Sequence, residues 1–254
     1  MLLMLAWLFC QELPSFTTAE PEAEIQFWET WLLQERADQT DQSLMRSRGV
    51  APRLKEVFRK QGVPADLIWL VLIESGFRNG VESPTGAVGM FQFKKETARF
   101  LGLRTEKPDE RRDPYRAAEA SARYLKYLFE KFQDWDLVLA AYNLGEGDLA
   151  RSMAREKATT WLQIKPHIRI ETQNYVAKIH AAVRIGNRFW EMDPRAHAEW
   201  PEHRVRVGET LYAISKQYGV DLTELMAING LQEPIIQPEQ VLFIPLPKAD
   251  RNLP

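Results

Sequence analysis

The sequence predicts a mainly α-helical domain followed by a small βααβ module. Two features of spacing and one break between them predict it. Between residues 21 and 189 apolar side chains recur at helical intervals, as in Ala117, Ala120, Tyr124, Leu125 and Leu128. After residue 202 the rhythm changes: Arg204-Val205-Arg206-Val207 alternates like a strand, Leu211 to Tyr218 and Leu222 to Ile228 read as short helices, and Gln240 to Ile244 reads as a closing strand. The Pro-bounded, acidic, Trp-containing stretch between them, residues 191–202, reads as a linker.

Each element has its own local reason. After Pro21 one helix is expected to run toward Arg48, with Ile25, Trp28, Trp31 and Leu32 on one face. Arg53 to Lys60 forms a short helix that Gly62 stops. Pro64 opens the next at its first turn, and Leu67 to Ile73 is apolar throughout, so this helix is expected to be buried on all sides. It ends at Glu74-Ser75-Gly76. A glycine-containing stretch, 80–89, leads to a helix over Lys94 to Leu101, and further helices are expected over Arg116 to Phe132, Leu137 to Tyr142 and Glu171 to Phe189.

Composition bounds the function. The chain has 254 residues, 45% hydrophobic and 27% charged, which suits a globular protein of one or two domains and excludes disordered or fibrous classes. A single cysteine, Cys10, excludes an internal disulfide and a thiol-based zinc site. The four histidines, His167, His180, His197 and His203, show no HExxH spacing, so neither metal nor cofactor is expected. Charge is uneven: residues 1–50 carry −5 and residues 51–190 carry +7. The basic region suits an acid-bearing polymer or is simply a solvated face, and with no block of five like charges a nucleic-acid partner is not indicated.

Residues 1–10 are apolar throughout, too short for a bilayer span of about 20 residues and fitting the core of an export signal, with Thr17-Thr18-Ala19 as the cleavage site. The expected organisation is a signal peptide over 1–19, an N-terminal helical segment over 20–50, a catalytic domain over 51–190, the linker, a module over 203–247 and a tail over 248–254. Lipid attachment at Cys10 would need a small residue where Phe9 stands.

Glu74 carries the chemistry. A carboxyl after seven apolar residues, at the C-terminal end of a helix, is disfavoured as an anion by desolvation and by the helix dipole. A carboxyl that keeps its proton near neutral pH can protonate a leaving sugar oxygen; a solvated helix-capping glutamate is the rival reading.

Four motifs then resemble the soluble-lytic-transglycosylase family of the lysozyme superfamily, close to its membrane-bound murein type. They are Glu74-Ser75-Gly76-Phe77, the run from Ser83 to Phe93, Ala140-Ala141-Tyr142-Asn143-Leu144-Gly145-Glu146-Gly147, and Glu171-Thr172-Gln173-Asn174-Tyr175-Val176. The resemblance spans about Pro52 to Gly186 and implies a goose-type, lysozyme-like helical fold. It implies that Glu74 is the single catalytic residue, acid then base, with the sugar's own 6-hydroxyl closing a 1,6-anhydromuramyl product. Asp66, Glu82 and Glu146 have no context resembling a glycosidase nucleophile.

By the same resemblance Ser83, Gly86, Met90, Gln92, Tyr142, Asn143 and Tyr175 line the substrate cleft. Ser83 could instead cap a turn, Met90 with Phe91 could be core, and Tyr142 could be buried and satisfied. Residues 203–246 resemble a LysM module, which implies glycan binding through Gly208, Glu209, Thr210 and Leu211 together with Ile235, Ile236 and Gln237. Glu239 replaces the usual glycine there, which makes a spacer role the rival. The implied protein is an exported peptidoglycan lytic transglycosylase acting as a monomer in the periplasm or envelope. A goose-type hydrolase and a non-catalytic wall-binding protein are the alternatives.

Overall fold

The order of elements is mostly as expected, and the differences lie where local hydrogen bonding overrides pattern. The computed structural model describes residues 13–192, 200–231 and 233–245. The helices are α1 (Glu22–Gln34), α2 (Ala37–Ser47), α3 (Ala51–Lys60), α4 (Leu70–Glu74), α5 (Lys95–Phe100), α6 (Pro114–Phe132), α7 (Trp135–Leu144), α8 (Glu146–Glu156), α9 (Trp161–Ile164) and α10 (Ile170–Met192). The module follows as β1 (Glu202–Arg204), α11 (Leu211–Tyr218), α12 (Leu222–Asn229) and β2 (Val241–Phe243).

The single helix expected after Pro21 is two. The Trp31 carbonyl accepts from both Glu35 N and Arg36 N, at 2.9 and 3.1 Å, which closes α1. Thr40 Oγ1 then donates to the Leu32 carbonyl at 2.8 Å, folding α2 back on it. The helix expected from Pro64 starts as a 3₁₀ segment, Ala65–Trp69, because Leu67 N bonds Pro64 O three residues back; only Leu70–Glu74 is α-helical. α8 and α9 are additional to the expected set; their apolar residues are too few to give a periodic signal.

Side-chain caps fix the two helices that frame the core. Asp113 accepts from Tyr115 N and Arg116 N to start α6, with Pro114 at its first position. Asp134 does the same for α7 through Asp136 N and Leu137 N. α10 lies against α1, α4 and α7. The closest approach is at Gly186, where an added Cβ would stand 2.1 Å from Trp69 Cδ2.

Residues 13–19, assigned from sequence to the leader, lie on this core together with Glu20. Leu13 N bonds Gly62 O at 3.0 Å, Phe16 stacks on His180 with centroids 4.6 Å apart, and Thr18 Oγ1 donates to Asp136 Oδ1 at 2.9 Å. Ala19 N also bonds Asp136, which in turn meets His180 at 2.6 Å. Glu20 is buried and accepts from Trp161 Nε1 and Lys165 Nζ. A cut after Ala19 would remove the first four of these contacts. Residues 1–12, with Cys10, and residues 246–254, with the expected tail, lie outside the described residues.

The module also departs from expectation. β1 pairs antiparallel with β2, Glu202 opposite Phe243, His203 opposite Leu242 and Arg204 opposite Val241. The strand therefore starts two residues before the expected Arg204 and ends there, while Val207 is 87% exposed at the turn into Gly208. β2 is buried on both faces: Leu242 and Ile244 join the module's own core, whereas Val241 and Phe243 join the core of the helical domain. Glu202 bonds Arg53 at 3.2 Å and accepts from the Tyr115 hydroxyl, and Arg204 pairs with Asp113 at 3.0 Å. The module is thus docked on the helical domain.

Replacing Gly186 by Ala should cost about 1–3 kcal/mol through overpacking, despite the higher helix propensity of Ala. Thermal denaturation should show Tm lowered by several degrees; an unchanged or raised Tm would mean that α10 and Trp69 are not this close.

Candidate active site

Glu74 is the last residue of α4, and the backbone after it turns at once. Ser75 N, Gly76 N and Phe77 N all point to the Val71 carbonyl, at 3.1, 3.0 and 3.4 Å. Gly76 and Phe77 both adopt φ +59. Phe77 bears the strain of a left-handed conformation because its ring is 1% exposed and set edge-on to Trp69 at 5.8 Å. The turn fixes where α4 stops and therefore where the carboxyl lies.

Tyr175 on α10 donates its hydroxyl proton to Glu74 Oε1 at 2.5 Å. Glu74 as a residue is only half-buried, yet desolvation pushes its pKa up to about 7, against a smaller lowering by the Tyr175 bond. Tyr142 and Tyr175 titrate well above the ordinary phenol range, first because they are buried and then because Glu74 is near both. The phenols stay protonated and the carboxyl holds its proton to near neutrality. This is the electrostatic arrangement of a general acid.

Residues 82–93 form a tongue pinned by isolated bridges between Glu82 and Val88 and between Val88 and Phe93. Ser83 is the turn cap: its Oγ accepts from Ala87 N at 3.0 Å. Gly86 has φ +80, and nothing lies within 4 Å of where a Cβ would stand, so its face is open. Gly89, also at φ +80, is required, since a Cβ would fall 1.9 Å from the Arg111 carbonyl. Gln92 Nε2 donates to the Gly89 carbonyl at 2.8 Å, inside the tongue. Met90 corrects the expectation of a cleft wall: its side chain is 1% exposed and packs in the core, as does Phe91.

Tyr142 and Asn143 lie within α7 and do not interrupt it. The Tyr142 hydroxyl donates to the Phe91 carbonyl at 3.2 Å, tying α7 to the tongue. Asn143 Oδ1 accepts from Thr172 Oγ1 at 2.7 Å, tying it to α10. Glu74, Tyr142 and Tyr175 form one electrostatic group, and the Tyr142 hydroxyl ties it to the loop that Ser83 and Gln92 shape.

Sequence reasoning missed what holds the tongue. Arg111 is 7% exposed, pairs with Asp109 at 2.6 Å and donates through Nη1 to the carbonyls of Gly86 and Phe93 at 3.2 and 3.1 Å. Its signal is the charged run from Asp109 to Asp113, which looks like solvated surface. Asp66, Glu82 and Glu146 are each engaged by a cation of their own, Lys55, Arg112 and Lys131. Among the described residues no three or more His, Cys, Asp or Glu converge as a metal would require.

With this geometry in view, the family models decide the assignment: the Transglycosylase SLT domain matches residues 55–163 and the LysM domain matches residues 203–245. The chain carries a Transglycosylase SLT domain followed by a LysM domain. It is 33% identical over 191 residues to membrane-bound lytic murein transglycosylase D of Escherichia coli K12, covering 68% of this chain and 40% of that protein. It is 47% identical over 92 residues to peptidoglycan transglycosylase gp16 of Escherichia phage T7, covering 35% of this chain and 7% of that one. The 70 kDa soluble lytic transglycosylase SLT70 of Escherichia coli aligns with a TM-score of 0.45 at 22% identity, over 57% of this chain and 25% of that one. The chain spans less than half the length of these relatives.

In the LysM domain the expected glycan-binding residues divide. Gly208 has φ +86 and open space around it, and Ile235 is 67% exposed. Ile236 packs partly on the module core, and Gln237 N bonds Gln240 Oε1 at 3.0 Å. Three residues serve the fold: Leu211 is fully buried, Thr210 caps α11 through Ala213 N, and Glu209 accepts from His203 Nε2 at 2.8 Å and Arg206 N at 2.7 Å. Leu211 corrects the expectation of a sugar contact, because its side chain is consumed by the module's core.

The raised carboxyl has a thermodynamic consequence with a definite sign. Between about 4.5 and about 7 the folded chain holds a proton at Glu74 that the unfolded chain has released, so this residue's contribution to stability falls as pH rises across that window. Glu74→Gln should therefore gain in Tm relative to the parent from pH 4.5 to pH 7, with the gap level above. Parallel Tm curves over that range would mean that the carboxyl is not raised.

Proposed function

We propose that this protein is a peptidoglycan lytic transglycosylase. It cleaves the MurNAc-β-1,4-GlcNAc bond without water and leaves 1,6-anhydromuramyl ends. The observation that carries this reading is one desolvated carboxyl, Glu74, bonded to Tyr175 and raised to about 7, with no second carboxylate in contact with it among the described residues. A lone acid can protonate the leaving oxygen and, once ionised, take the proton of the sugar's 6-hydroxyl as it attacks the anomeric carbon. The printed names of the relatives, murein and peptidoglycan transglycosylases, support the same substrate.

In this reading Tyr175 orients the acid, and Tyr142, Asn143, Ser83, Gly86 and Gln92 border the sugar in the cleft. Gly208, Ile235 and Gln237 offer the LysM domain's contact with glycan. The chain works in the periplasm or cell envelope after export, and processing falls before Leu13, because residues 13–20 hold contacts with Gly62, Asp136 and His180. No helix among the described residues is long and apolar enough to cross a membrane.

One preparation tests all of this. Protein recovered from the envelope fraction should have an intact mass that retains residues 13–20, and its digest of sacculi should give muropeptides lighter by one water than hydrolysis products. Glu74→Gln should lower the yield by about 10³-fold or more, in line with loss of a general acid. Reducing-end products would establish a goose-type hydrolase, undiminished digestion by Glu74→Gln would establish a non-catalytic role for this site, and a mature terminus at Glu20 would refute the processing reading.

A further inference from the structure

The seam between the two domains encloses a cavity that neither domain forms alone. Its volume is about 330 Å³, the size of a small-ligand site. Arg78, Gly80, Val81, Glu82 and Arg112 of the SLT domain wall one side, and residues of the LysM domain between Gly230 and Gln240 wall the other.

Burial fixes this seam. Val241 and Phe243 of the LysM domain belong to the core of the helical domain, and Arg204 pairs with Asp113 at 3.0 Å. At the cavity the two backbones come close: a Cβ on Gly230 would stand 2.2 Å from Arg78 Cγ, and one on Gly80 would stand 2.9 Å from Leu231 Cδ2. Gly230 ends α12 at φ +65, so the LysM domain seats a helix end on the Arg78 stem. Arg78 also donates to the Ser75 carbonyl at 2.8 Å and lines the space beside Glu74. One side chain therefore borders both the acid's surroundings and the seam cavity.

The lining does not select for charge. Arg78 and Arg112 are matched by Glu82 and Glu233, and Arg112 is already bonded to Glu82 at 2.9 Å and to the Gly80 carbonyl at 2.7 Å. Val81, Leu231 and Ile235 supply apolar surface, and Ile235 is 67% exposed. Hydrogen-bonding capacity remains: the Gln237 side-chain amide and the Glu233 carboxylate have no partner among the described residues. Apolar contact beside a free amide and a free acceptor, with no net charge, fits an uncharged sugar with an acetamido group. The methyl meets the apolar wall, and the N–H, carbonyl and hydroxyls meet Glu233 and Gln237.

We propose that this cavity holds an uncharged N-acetylated sugar of the same strand whose muramyl bond lies at Glu74, so that both domains grip one glycan at once. The proposal rests on the lytic transglycosylase reading above and goes beyond the LysM contact named there, because the SLT domain supplies half of this site. Once a strand is seated at one position its second contact is intramolecular, so the two strengthen each other.

Amide NMR titration of the Glu74→Gln protein, in which the oligomers persist, tests this. The probe is an N-acetylglucosamine oligomer, and a glucose oligomer of equal length is the arm without acetamido groups. The first should shift the amides of Gly80, Val81 and Glu82 together with those of Ile235 and Gln237, all with one dissociation constant. The second should need about tenfold higher concentration. Adding Ile235→Asp, at an exposed position, should raise the dissociation constant read from both groups about tenfold. Shifts in the LysM group alone, two different constants, or an unchanged constant at Gly80 to Glu82 in the Ile235→Asp variant would overturn the proposal, as would equal binding of the two oligomers. Should that variant misfold, the shared constant in the Glu74→Gln protein decides without it. The end groups released by the parent are read separately. Anhydro ends with unlinked shifts would sink the shared cavity and leave the transglycosylase reading standing, whereas reducing ends would sink that reading itself.

Discussion

The desolvation of one carboxyl organises the molecule. A glutamate at the end of an apolar helix would ordinarily turn toward water, and here three constraints hold it in place. The Gly76-Phe77 turn ends α4 immediately after it, Phe77 locks the turn by burying its ring on Trp69, and Tyr175 supplies a single hydrogen bond from α10. A single neutral donor is too weak to offset the loss of hydration, so the proton is retained. The close seat of Trp69 on Gly186 then joins helix, turn and phenol into one rigid unit.

The tongue of residues 82–93 is built by a different kind of interaction. The tongue has almost no regular structure, and its backbone is held by Arg111, by Gln92 and by the Tyr142 hydroxyl. Buried charge-assisted bonds to carbonyls set its shape with a precision that apolar contact alone would not give. Ser83 and Gln92 are thereby committed to the loop through their side-chain bonds, and Gly86 leaves the loop face bare.

Much of this was legible in sequence because it depends on local signals. Helical spacing and Pro64 mark many of the helices, and the apolar run before Glu74 announces its burial. What was not legible depends on tertiary pairing. Met90 reads equally as wall or core, and only the three-dimensional packing decides for core. Arg111 sits in a charged run that suggests surface, and its burial follows from Asp109 folding back on it. The alternate faces of β2 point into two different cores, which no single-strand pattern distinguishes from a strand buried within one module. The α1–α2 break arises from a carbonyl shared by two backbone donors, which no apolar spacing signals.

The central claim is that Glu74 remains protonated to near neutrality. Carbon-13 NMR titration of side-chain-labelled glutamate, with Glu74 assigned by its absence in Glu74→Gln, tests it most directly. The account predicts a midpoint near 7, distinct from the solvent-exposed glutamates of the chain. A midpoint at the ordinary value of about 4.5 would contradict it.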